Sequence, residues 1–136
     1  MENRTYITFN DYLRLTGIIE VSSLGVQMPE VANRLCQKIK VANMLPQHRI
    51  SKNVVTMNSR VLLKDLYNNN KLEIAIAYPE DSDIREKKVS VFSTIGVALL
   101  GQQVGDVVSW KVPQGIGRFE ILEVIYQPEA VGDYYL

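Results

Sequence analysis

Two hydrophobic periods divide this chain, and the change from one to the other falls near residue 50. Before it, Tyr12, Leu15, Ile18, Ile19 and Ser22 recur at spacings of three and four, which marks one face of a helix. Thr8 and Asn10 both suit the capping position, and Asp11 suits a first helical turn. The pattern predicts a helix over Asn10–Ser22, weakened at Gly17 by ~1 kcal/mol relative to alanine. Ser22-Ser23-Leu24-Gly25 then reads as a break. Met28, Val31, Leu35, Ile39 and Ala42 resume the spacing around Pro29, with Arg34, Gln37, Lys38 and Lys40 on the other faces. This predicts an amphipathic helix of about four turns that ends before Pro46. Two apolar stripes joined by a short loop predict an antiparallel helical hairpin.

After Asn53 the period is two. Val55, Met57, Ser59 and Val61 alternate with Val54, Thr56, Asn58 and Arg60, predicting a strand. Asn68-Asn69-Asn70 is a turn signal, since asparagine tolerates left-handed backbone angles. Leu72–Ala77 predicts a second strand stopped by Pro79, and Val89–Phe92 a short third. Thr94–Leu100 predicts a short helix closed by Gly101. Val107–Val112 and Arg118–Tyr126 predict strands flanking the hairpin loop Pro113–Gly117. The tail from Gln127 is irregular, but Tyr134, Tyr135 and Leu136 are expected to pack down. The fold class expected is α+β. A short helical hairpin (residues 1–48) precedes a roughly five-stranded, mostly antiparallel sheet domain with one short helix (residues 49–136).

Composition narrows the function. Of 136 residues, 46% are apolar, enough for a real core. Fifteen basic residues balance fifteen acidic ones, so no net field draws the whole molecule onto duplex DNA. No sequence-specific DNA binding is expected; a protein partner or a small ligand fits better. The single cysteine, Cys36, excludes an intramolecular disulfide. The first residues lack the apolar core of a signal peptide, and no apolar run approaches the ~18 residues of a membrane span. The expected location is the cytoplasm, away from any membrane.

The stretch Val89–Gly101 followed by Val104-Gly105-Asp106 resembles the C-terminal domain of the bacterial Gre transcript-cleavage factors, which has an FKBP-like fold. Val54–Val61, Tyr78-Pro79, Ala98–Gly101, Tyr126–Ala130 and Gly132–Leu136 together resemble the family called regulator of nucleoside diphosphate kinase. These motifs lie in order across residues 54–136. The resemblance implies an RNA polymerase partner, with the β domain at the rim of the secondary channel and the hairpin pointing into it. It places Ser93, Thr94 and Ile95 against the polymerase, although Gre factors usually carry proline where this chain has Thr94. It places Glu20, Ser22, Ser23, Leu24 and Gln27 at the channel-facing tip.

A Gre factor holds a catalytic Mg²⁺ with paired acidic residues at the tip of a long coiled coil, chemistry that needs hard oxygen ligands and reach. Here the first helix extends only roughly 20 Å at ~1.5 Å per residue. Residues 21–28 contain no carboxylate. The flanking Glu20 and Glu30 read as solvated helix-end charges rather than a metal pair. The expectation is therefore a non-enzymatic regulator without a metal or cofactor, able to compete with Gre factors, and monomeric or weakly dimeric.

Other chemistry is sparse. Glu80, Asp81, Asp83 and Glu86 form an acidic loop without calcium-loop spacing and read as solvated. His48 is the only histidine and sits in a linker, too isolated for a zinc site. Cys36 reads as partly buried. Trp110, Tyr126, Tyr134 and Tyr135 read as packing residues; an aromatic groove for proline recognition is the alternative. Two other readings remain: a prolyl isomerase built on the β domain, or a direct modulator of nucleoside diphosphate kinase. Shared fold alone does not transfer an activity.

Overall fold

The computed structural model describes residues 5–22 and 30–134. Strand β1 (Tyr6–Thr8) runs straight into helix α1 (Phe9–Ser22), and helix α2 (Glu30–Val41) runs into strand β2 (Asn43–Leu45). Of the two candidate caps, Thr8 is used: its Oγ1 accepts from the Asp11 N–H at 3.1 Å. The loop of the expected hairpin and Pro29 lie outside the described residues. β1 and β2 pair in parallel, an element the apolar periodicity did not predict because three residues are too few to show a period.

The larger sheet has the order β5-β4-β3-β7-β6, built from β3 (Arg60–Asp65), β4 (Lys71–Ala77), β5 (Lys88–Ser90), β6 (Val107–Val112) and β7 (Gly115–Tyr126). All its pairings are antiparallel except β4 with β5. Helix α3 (Thr94–Leu99) follows β5. The fold is thus α+β, with three helices and a mixed sheet.

The strand expected to begin at Val54 begins instead at Arg60. Residues 54–57 are all buried, so their alternation of residue types does not mark two faces. Asn58 takes φ 67°, which breaks an extended chain. The Thr56 N–H and the Ser59 Oγ close a local turn at 2.9 Å. The Asn68–Asn70 turn forms as expected, with Asn69 at φ 63°. Gly115–Gly117, expected as loop, continue β7, because Val112 pairs with Gly115 and the turn needs only Pro113 and Gln114. In the tail, packing falls on Gln127 and Glu129, Tyr134 is exposed, and Tyr135 and Leu136 lie outside the described residues.

One continuous core joins the helices to the sheet. Leu15, Ile19, Leu35 and Ile39 meet Val55, Met57, Tyr78, Val91, Val97 and Leu99 in a single cluster. Leu99 and Leu100 are both buried, although neighbours on a helix point apart. Leu100 has ψ 127°, so the chain has already left the helix there and its side chain turns inward. At the far end of the sheet Trp110 and Phe119 stack with centroids 4.0 Å apart. Gly117 makes room, since a Cβ there would stand 2.7 Å from the Phe119 ring.

Candidate functional site

Helix α3 is held at every point along its short length. Ser93 caps it: Oγ accepts from the Gly96 N–H at 3.0 Å and donates to the Ser90 carbonyl at 2.6 Å. Gly96 rests directly on the end of β5, where a Cβ would meet the Ser90 carbonyl and lie 2.7 Å from the Val91 Cα. Behind the helix, Gly101 takes φ +82° and donates its N–H to the Val55 carbonyl at 2.8 Å. Its own carbonyl accepts from the Tyr6 N–H at 3.0 Å, and a Cβ would stand 2.6 Å from Thr5. Glycine is required there both for the angle and for the approach of β1.

The last carbonyls of α3 are capped from another helix. Lys38 Nζ donates to the Val97 carbonyl at 2.7 Å and to the Ala98 carbonyl at 3.1 Å. A cation at a helix C-terminus meets both unpaired carbonyls and the negative end of the helix. Burial pulls the Lys38 ammonium down to about 8, against the attraction of Asp106. The periodicity places Lys38 on the faces of α2 outside the apolar stripe. The signal for the capping contact was its place three residues after Leu35, at the margin of the apolar stripe.

The start of α3 faces outward. Thr94 is exposed, Ser93 is half-buried, and Ile95 is half-buried against the core. Of the three residues expected to form a contact, Ser93 has its hydroxyl committed to the cap, and Thr94 offers the open side chain. Glu20 is exposed in the last turn of α1, and Ser22 ends that helix. Ser23, Leu24 and Gln27 lie outside the described residues.

A second polar cluster ties the base of α1 to the sheet domain. Asp11 is 6% exposed, and its Oδ2 accepts from the Met57 N–H at 3.1 Å. Burial, and then the nearby Glu129 charge, push its carboxyl up to about 7. Glu129 is also buried, and it accepts from the Thr56 hydroxyl at 2.6 Å. Because that proton goes to Glu129, the Ser59 hydroxyl is the donor in its 2.9 Å bond to Thr56. The Arg14 guanidinium lies 3.8 Å over the Tyr78 ring, and burial holds the Tyr78 phenol above its ordinary range. This cluster escaped the sequence reading, which placed Asp11 as a helix-start charge. Its signal was position: Asp11 precedes Leu15 by four residues and so shares the buried stripe.

Among the described residues the remaining candidate groups stay dispersed or exposed. Among the described residues no group of three or more His, Cys, Asp or Glu is placed to hold a metal ion. His48 is exposed and Cys36 half-buried. The acidic loop is exposed and borders an open groove of about 620 Å³ with Arg60 and Lys88 on its wall. Among the described residues no helix is long and apolar enough to cross a membrane.

Residues 50–126 match the family described as transcription elongation factor GreA/GreB, C-terminal. The chain belongs to this family. It is 37% identical over 107 residues to the regulator of nucleoside diphosphate kinase of Escherichia coli K12, covering 78% of this chain and 79% of that protein. It is 33% identical over 118 residues to the transcription elongation factor GreA of Clostridioides difficile, covering 87% and 74%. A solved GreA/GreB elongation factor from Nitrosomonas europaea superposes with a TM-score of 0.78 at 28% identity, covering 92% of this chain and all of that one. The Gre-type family expected from the motifs at 54–136 is therefore the right one, and these relatives are named as transcription factors and a regulator.

Proposed function

We propose that this chain is a non-catalytic regulator that binds RNA polymerase near its secondary channel. In this reading residues 49–136, in an FKBP-like arrangement, dock on the channel rim through the exposed start of α3, with Thr94 at the centre and Ser93 and Ile95 beside it. Residues 1–48 act as an antiparallel helical hairpin directed into the channel, with Glu20, Ser22, Ser23, Leu24 and Gln27 at its tip. The protein works in the cytoplasm without a cofactor, as a monomer or weak dimer.

The observation that carries this reading is family membership across the sheet domain, combined with a tip that lacks Gre chemistry. The match over residues 50–126 includes α3 and the strand that supports it. Residues 21–28 hold no carboxylate, and Glu20 and Glu30 flank the loop as helix-end charges, so the tip lacks the adjacent paired acids that hold Mg²⁺ in a Gre factor. At ~1.5 Å per residue the 14 residues of α1 span about 21 Å, which favours occupation of the channel over reach to its end.

The test is transcript cleavage on backtracked elongation complexes. Alone, the protein should leave the cleavage rate at its intrinsic level. Added with a Gre factor, it should lower the stimulated rate in proportion to its concentration. Stimulation by the protein alone contradicts the proposal. A second reading, direct modulation of nucleoside diphosphate kinase, is favoured by the name of the Escherichia coli relative. It requires the kinase, and not the polymerase, to be captured by the purified protein.

A further inference from the structure

A net charge of zero hides a strong segregation on the outer face of the large sheet. The inner face is set by Val61 with Ile74 and Val124, and by Leu63 with Leu72 and Ile121. The outer face is therefore set by the alternate positions, among them Lys64 opposite Lys71 and Ser109 opposite Arg118. Lys111, two residues beyond Ser109, shares that face. Four cations thus cross four neighbouring strands, β4, β3, β7 and β6, at one end of the sheet. Lys64 and Lys71 share one row, Arg118 lies one outer position further along and Lys111 one beyond that, so the cations run diagonally; at ~4.8 Å per strand and ~3.3 Å per residue the line spans about 20 Å. Glu120, opposite Lys64, is the one acid on the same outer rows. The acids Glu73, Glu123, Glu80, Asp81 and Glu86 lie towards the other end, beside Arg60 and Lys88.

Folding does not use these four cations. Among the described residues, Lys64, Lys71, Lys111 and Arg118 make no side-chain hydrogen bond or ion pair. Lys64 and Lys71 face each other directly across adjacent strands, a like-charge pairing that weakens a sheet. At the same end, Tyr67 stands at the tip of the β3–β4 turn, 93% exposed. The turn fixes its backbone: the Asp65 carboxylate accepts the Tyr67 N–H at 2.9 Å, and the Leu66 N–H reaches the Arg118 carbonyl at 2.9 Å. A solvent-facing aromatic ring on an anchored turn, beside a diagonal line of unpaired cations, is a stacking platform beside a phosphate track.

We propose that this end of the sheet binds single-stranded nucleic acid, with Lys64, Lys71, Lys111 and Arg118 on successive phosphates and a base stacked on Tyr67. The surface is separate from the start of α3, and the inference stands independently of the polymerase reading. Single strands fit better than duplex, because a flat face with one exposed ring offers stacking and no element shaped for a groove. An acidic protein face is the competing partner, and base stacking on the ring separates the two.

Fluorescence anisotropy of the purified protein, without polymerase, tests this. The probes are a labelled 12-nucleotide oligo(U), the matching oligo(dT), and a labelled poly-glutamate peptide of equal charge. Both oligonucleotides should bind at ~50 mM salt, and their relative affinity separates an RNA from a DNA ligand. Tyr67→Ala should weaken oligonucleotide binding at least ~5-fold, the low end of one lost stacking contact. With four phosphates engaged the slope of log K against log salt should be roughly −2.8, and the double variant Lys64→Ser/Lys71→Ser should reduce it by about 1.4. Melting of Tyr67→Ala should match wild type, and that of the double variant should match or exceed it, since the Lys64–Lys71 pairing is repulsive. Absence of oligonucleotide binding overturns the proposal. So does unchanged binding by Tyr67→Ala, or poly-glutamate bound as tightly as either oligonucleotide.

Discussion

Asp11 shows how one side chain can carry opposite obligations. It lies in the first turn of α1, where an acid is favourable, yet it is buried beside a second carboxyl. Its folded-state value of about 7 lies above the ~3.9 of an exposed aspartate. A raised carboxyl binds its proton more tightly in the folded chain, so its contribution is fully present below pH ~4 and is lost as pH rises through about 7. Asp11→Asn keeps an acceptor for the Met57 N–H and removes the titration. Urea unfolding should therefore show wild type losing stability relative to Asp11→Asn between pH 4 and 7, with the variant the more stable above 7. A constant difference across that window contradicts the assignment. The neighbouring Thr56→Val leaves a buried Glu129 oxygen without its donor, and a loss of about 1–3 kcal/mol is expected in the same experiment. This cluster is not readable from residue type alone. Asp11, Thr56 and Glu129 are far apart in sequence, and only the folded chain brings them together.

At the scale of elements, periodicity located both longer helices, the short α3, and four of the five strands of the large sheet close to their true bounds. It failed where burial is complete. Val54–Met57 alternates in residue type, but all four residues are buried, so alternation there carries no facial information. The positive φ of Asn58 and the Thr56–Ser59 turn place the start of β3 at Arg60. The short parallel pair β1–β2 was likewise invisible; it is fixed by backbone partners, including the Gly101 carbonyl for Tyr6. α3 depends on two such non-local supports. Gly96→Ala drives a Cβ into the backbone of β5, and a cost of about 1–3 kcal/mol is expected from the forced displacement. Lys38→Met leaves the Val97 and Ala98 carbonyls unmet by charge, with a loss of about 1.5–3 kcal/mol expected. Hydrogen exchange separates the two. Lys38→Met should raise exchange in α3 while the central strands β3 and β7 stay protected; uniform acceleration contradicts a local capping role.

For the whole molecule, the shared core means that α1, α2, α3 and the sheet move as one packed unit among the described residues. Lys38 joins α2 to α3, and Asp11 joins α1 to the loop before β3. The described parts of α1 and α2 therefore stand in a set relation to the start of α3. The family was legible in the sequence because its motifs spread over residues 54–136. The contact role expected of Ser93, Thr94 and Ile95 remains a proposal, and the sequence did not reveal that Ser93 commits its hydroxyl to its own helix. The most direct measurement is equilibrium binding of the labelled protein to core RNA polymerase, titrated with an unlabelled Gre factor. Saturable binding that the Gre factor displaces fully, and that Thr94→Asp weakens at least tenfold, is the expected result. Absence of binding, or binding that the Gre factor leaves intact, would contradict a shared channel site.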